Sequence, residues 1–194
     1  SIVVEEGPGG QSVNERLELA DSSDGIELYA QKVGSFNYLL VPTTDQGSTP
    51  TCWAYAVASI GQYMTTHWLS PRNIYARLGL SWAEEAGSLE QTQSALSLFW
   101  YPNSSTPIRS TIVWGGLTDT AVKRWISNGA PIYARLVTKG SAHGVVIRGY
   151  NMPLGKSFSV SIMNPGYGRY EMLLKNQDGV LGFMYAGRYF TWGQ

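Results

Sequence analysis

The sequence predicts an α+β fold, with a helical half followed by a sheet half. Two observations carry this. Between residues 53 and 128, apolar residues recur at helical spacing in four segments, each opened or closed by a cap, Gly or Pro. From residue 131 onward the period changes to two, with turn residues between runs. Helices first and strands after is the order of an α+β fold, not of alternating βαβ units. The 194 residues are 43% hydrophobic, enough for a real core in one or two small domains.

Residues 1–11 are rich in Gly and Pro and read as loose. Ser12 to Glu15 fits a capping box, which predicts a short helix over 13–20. Residues 26–41 alternate loosely and have room for one or two strands; residues 42–51 form a turn-rich loop containing Pro42, Gly47 and Pro50. The clearest helix follows. Trp53, Ala56, Val57, Ile60, Tyr63, Met64 and His67 form one apolar stripe, with Thr49 as cap and Pro50 in the first turn. Three further helices are expected at 71–79, at 89–100 and, capped by Thr118, at 119–128. Strands are expected at 132–137, 143–150, 157–164, 170–174 and roughly 180–190. The chain thus divides into 1–41, 42–108 with the helices, and 109–194 with most of the strands.

Charge is low and uneven. Charged residues make up 14% of the chain, against about 25% in typical domains. Residues 1–30 hold seven acids and one base, so the first segment is an acidic arm. It reads either as a structural arm against a mildly basic body or as an inhibitory pro-segment remnant. The bases of the body are scattered, which argues against nucleic acid as a partner. No run of apolar residues is long enough for a membrane span. Twelve Tyr and seven Trp with so little charge suit a secreted, extracellular bacterial protein, and Ser1 reads as a processing boundary.

The chain has a single cysteine, Cys52, where the turn-rich loop meets the clearest helix. At a helix N-terminus the unpaired N–H groups and the dipole favour thiolate, the nucleophilic form. A nucleophilic cysteine needs a base, and the chain has two histidines. His67 falls about 22 Å along the same expected helix, beyond reach. That leaves His143, on a strand among small residues, although a histidine that merely fills a strand end fits the same pattern. If Tyr150 faces Ser157 across the hairpin of 143–150 and 157–164, His143 falls opposite Asn164, whose amide oxygen can fix the imidazole. Asn164 also suits the start of an Asn-Pro-Gly turn, and a one-residue slip would turn it to the other face. Gln46, six residues before the cysteine, can offer a side-chain amide to an oxyanion beside the backbone N–H of Cys52.

Gln46-Gly47, then Cys52-Trp53-Ala54, then His143-Gly144, then Asn164, resembles the papain-like cysteine peptidases in order and approximate spacing. The stretch from 46 to 167 is closest to compact bacterial members of that family. The resemblance implies a two-lobed fold with the cysteine helix in one lobe, a β-rich lobe carrying the histidine, and substrate between them. It implies Cys52 as nucleophile, His143 as base and acid, Asn164 as orienter and Gln46 for the oxyanion. Gly87-Ser88 resembles the stretch that pairs with substrate backbone, and Trp53 and Ala142, beside the reactive groups, would also meet the substrate. Four features depart from the family: Pro50-Thr51 precede the cysteine, Gly166 stands where a shielding tryptophan is usual, the cysteine lobe is short, and the family's disulfides are absent.

The function so implied is a cysteine peptidase working through a thioester, with a peptide or protein as substrate and a pro-segment or protein inhibitor as a possible further partner. Another acyl transfer, such as cell-wall amide hydrolysis or transpeptidation, and a non-catalytic binding module are the alternatives. No cofactor is called for. One Cys and two distant His do not make a tetrahedral zinc set, and no Gly-rich phosphate loop opens a helix.

Overall fold

The computed structural model describes residues 2–4 and 35–193. The expected helix at 13–20 and the acidic stretch 5–34 lie outside the described residues. Among the described residues, nine strands and four helices follow in chain order: β1 Ile2–Val4, β2 Ser35–Tyr38, α1 Cys52–Thr65, α2 Pro71–Arg77, α3 Leu89–Leu96, β3 Ser110–Ile112, α4 Asp119–Ser127, β4 Ile132–Thr138, β5 Ser141–Met152, β6 Ser159–Asn164, β7 Arg169–Lys175, β8 Leu181–Tyr185 and β9 Arg188–Thr191. All nine strands join one sheet. Among the described residues no helix is long and apolar enough to cross a membrane.

The α+β, two-lobed papain-like expectation is overturned. Strands β4 to β9 close into a six-stranded antiparallel barrel, β4-β5-β6-β7-β8-β9, with β9 returning to β4 at Val137 opposite Thr191. The physical reason lies in the segment read as one strand at 180–190. Ala186 and Gly187 both adopt positive φ, 51° and 76°, so the chain reverses there into the β8–β9 hairpin. One strand would have left an open sheet; two allow closure. The helices are short, from 7 to 14 residues, and share one hydrophobic cluster with the barrel. Trp53, Val57 and Ile60 of α1 belong to the same buried cluster as Leu136, Val145 and Ile162 of the strands.

The ends of the 1–41 segment are also built into the sheet. Within the start expected to be loose, Ile2–Val4 form β1, which pairs with β3 and with the first residues of β4, while β2 lies along the far end of β5. Helix α1 is buried on most of its circumference, not along a single stripe. It stops at Thr65, where Thr66 takes a left-handed conformation, so His67 lies beyond the helix and its N–H donates to Thr65 Oγ1. Helices α2, α3 and α4 begin as read, capped by Ser70, Ser88 and Thr118, but α2 and α3 end two and four residues early.

Candidate active site

Cys52 is the first residue of α1. The expected cap, Thr49, does not cap this helix: the N-cap is Thr51, and its side chain makes no cap bond. The Thr49 hydroxyl instead donates to the Gln46 carbonyl and lies 2.7 Å from that of Thr51. The N–H groups at the start of α1 therefore face the half-buried sulfur without a competing side chain. A further donor comes from the barrel. The backbone N–H of Gly144 points at Cys52 Sγ, 3.3 Å away. Strand β6 reaches along β5 only to Val146, so Gly144 has no partner on that edge.

His143 and Asn164 are both buried, and His143 Nε2 lies 2.7 Å from Asn164 Oδ1. The Asn164 amide is oriented by two other contacts. Its oxygen also accepts the Gly166 N–H at 2.9 Å, and its Nδ2 donates to Glu171 Oε2 at 3.0 Å. Since Oδ1 is the acceptor, Nε2 carries the imidazole proton, and a neutral His143 presents its lone pair at Nδ1.

The hairpin register differs from the expected one. Val146 faces Met163 and Ile147 faces Ile162, so Asn164 falls level with Val145, two residues from His143. An even slip preserves the face, and diagonal neighbours on one face are within side-chain reach. Toward the hairpin tip the slip is odd, with Tyr150 opposite Val160; a bulge between Ile147 and Gly149 absorbs the extra residue. Arg148, at the bulge, lies 3.6 Å from the Tyr170 ring centroid and donates to the Leu39 carbonyl.

The shield over the histidine comes from β8. Tyr185 stacks on His143 with centroids 4.0 Å apart and planes 18° from parallel. This accounts for Gly166, since a Cβ there would lie 2.2 Å from the Tyr185 hydroxyl. The tyrosine sits in the segment read as a featureless strand, and nothing in its spacing from Asn164 marks it.

A cleft of about 910 Å³ brings Gln46, Cys52, Trp53, Gly87, Ser88, Ala142 and His143 to one wall-to-wall space; His67 is not part of it. Gln46 is held at both ends. Its N–H donates to the Pro165 carbonyl at 2.8 Å, beside Asn164, and its Nε2 donates to the Thr49 carbonyl at 2.8 Å. A primary amide has a second hydrogen on that nitrogen. Trp53 is buried and donates to the Tyr75 hydroxyl at 3.0 Å. Gly87 does not offer its N–H to the cleft: Gly87 and Ser88 both donate to Gln91 Oε1, at 2.8 and 3.1 Å, in the capping box of α3. Gly87 is fixed by its φ of 101° and by the Trp53 ring, 2.7 Å from where a Cβ would stand.

Burial opposes the helix-start effect on the thiol. Burial pushes the Cys52 thiol above its ordinary value, against the opposing donors Gly144, Trp53 and its own N–H and against the positive charge of Arg135. Burial also lowers His143, opposed by its Asn164 bond and by the Glu171 charge. Both shifts favour a neutral thiol and a neutral imidazole in the unliganded cleft, not a resting thiolate. Among the described residues, no group of three His, Cys, Asp or Glu side chains could hold a metal ion. Comparisons with protein-family models, with curated proteins and with solved structures return no match for this chain.

Proposed function

We propose that the chain is a cysteine peptidase that cleaves peptide bonds through a thioester. The observation that carries this reading is a cleft lined by both Cys52 and His143, with His143 bonded behind it to the buried Asn164 and the Cys52 sulfur receiving the N–H of the residue next to that histidine. The set of groups is papain-like; the barrel that carries it is not the two-lobed fold of that family.

In this reading His143 Nδ1 takes the thiol proton as Sγ attacks the scissile carbonyl carbon. The carbonyl π electrons move to oxygen, and the backbone N–H of Cys52 and the second amide hydrogen of Gln46 stabilise that oxyanion. Collapse breaks the C–N bond, and the imidazolium returns its proton to the leaving amine. Water then adds to the thioester with His143 as base, releasing the carboxylic acid and restoring the thiol. Asn164 keeps the ring in the tautomer this cycle needs, and Tyr185 covers the bond between them.

The test is cleavage of a mixed peptide library, with products read by mass spectrometry. The wild-type chain is expected to cleave, Cys52→Ala and His143→Ala to be inactive while folded, and Gln46→Ala to lose about 100-fold in kcat. Turnover that survives His143→Ala would overturn the base assignment. Hydrolysis of amide bonds in cell-wall fragments with no cleavage of the peptide library would move the reading to another acyl transfer.

A further inference from the structure

A second cavity, of about 330 Å³, adjoins the cleft; Ser88 and Arg135 line both. Its floor continues that of the cleft along one face of β4, where Tyr133, Arg135 and Val137 alternate with residues of the other face. The sheet itself opens here. On the edge away from β5, β4 pairs with β1 at Ile132 and Tyr133 and with β9 at Val137, leaving Arg135 between the two.

Arg135 is the single exposed residue in the otherwise buried run Ile132–Leu136. It stands opposite Gly144, whose N–H reaches the Cys52 sulfur, so it lies one strand from the reacting atom. Among the described residues it has no ion-pair partner. The other charges around the two spaces are placed differently. Arg188 is tied to the Lys139 carbonyl. Glu90 sits in the first turn of α3, where the helix dipole offsets it. Glu85 lies on the rim of the larger cleft, away from the second cavity. The largely buried Trp192 ring adds an aromatic wall to the second cavity. An exposed guanidinium with no carboxylate paired to it among the described residues, lining both spaces, suits a carboxylate.

We propose that this second cavity is a substrate side-chain subsite that selects an acidic residue, with Arg135 as the residue that reads it. The proposal rests on the peptidase reading for its setting. Its specificity is a binding property, separable from turnover.

The experiment uses three peptide pools, identical except for Asp, Asn or Lys fixed at one position, scanned along the peptide. Equilibrium binding to the Cys52→Ala chain is followed by calorimetry. The Asp pool is expected to bind about tenfold more tightly than the Asn pool at one position. Arg135→Gln should abolish that preference, and Arg135→Glu should reverse it toward Lys. Equal binding of the Asp and Asn pools, no binding of any pool, or a preference that survives Arg135→Gln would overturn the proposal. Should Arg135→Glu not fold, Arg135→Gln decides alone. Turnover of the same pools by the wild-type chain separates the two readings. Selective binding without cleavage overturns the peptidase and keeps the acidic subsite; cleavage without acid preference overturns the subsite alone.

Discussion

Tyr185 lies almost flat on His143, with ring centroids 4.0 Å apart. The tyrosine covers a buried hydrogen bond whose strength depends on exclusion of water. Tyr185→Ala is therefore expected to lower kcat/KM about tenfold, in line with the loss of one stacked aromatic pair. Tyr185→Phe keeps the ring and should stay near wild type. Equal losses in the two variants would show that the hydroxyl, not the ring, matters.

Glu171 is a positioning residue for the base. It accepts from Asn164 Nδ2, is held by Arg169 Nε at 2.9 Å, and its charge raises His143 against the burial that lowers it. Tyr185 on β8 and Phe190 on β9 pack against His143, and through Asn164 it meets Glu171 on β7. Glu171→Gln keeps an acceptor and removes the charge, so His143 falls further. A base must be neutral to act, so the acid limb of kcat/KM should move to lower pH in Glu171→Gln, with KM little changed. Glu171→Ala leaves a buried amide donor unpaired and should also destabilise the fold by about 1–3 kcal/mol. An acid limb that stays in place in Glu171→Gln would remove the electrostatic role.

Alkylation of Cys52 reads the resting thiol directly. Burial holds it above its ordinary value of 9.0, so the iodoacetamide rate should rise in a step above pH 9. The chain has no other cysteine, so one adduct is expected by mass. A step well below pH 9 would show that His143 and Cys52 exchange their proton before substrate arrives.

The same burial links stability to pH. His143 is depressed below its ordinary 6.5 in the folded chain, so between its folded value and 6.5 the unfolded chain binds more protons. Stability is full above 6.5 and is lost as pH falls through that window. For Cys52 the raised folded value means that stability is lost as pH rises above 9.0. Thermal melts of wild type and His143→Ala should converge as the pH falls from 7 toward 5. A constant separation between them would deny the buried neutral imidazole.

Local signals carried most of the element assignments. Ser70-Pro71, Ser88 and Thr118 mark helix starts because a cap bonds only its own first turn. The order Gln46, Cys52, His143, Asn164 was visible because loop, helix start and hairpin each place one group. The barrel was hidden in two residues, Ala186 and Gly187: an alanine at positive φ gives no sequence warning, and without that turn β9 cannot return to β4. Tyr185, Glu171 and Arg135 were not readable either, since each enters the site only through strand neighbours distant in sequence. Burial works against the thiolate that a helix N-terminus favours, and a helix start alone does not disclose that burial.

The bulge at Arg148 uncouples the length of one loop from the chemistry. The odd slip toward the hairpin tip stops there, and the strand residues on the catalytic side keep their own alignment. The turn between β5 and β6 can then gain or lose a residue while the histidine and its asparagine stay in phase. This makes the tip a place to graft new sequence, such as a binding loop or a label, since Met152 at the end of β5 stands nine residues along the strand from His143.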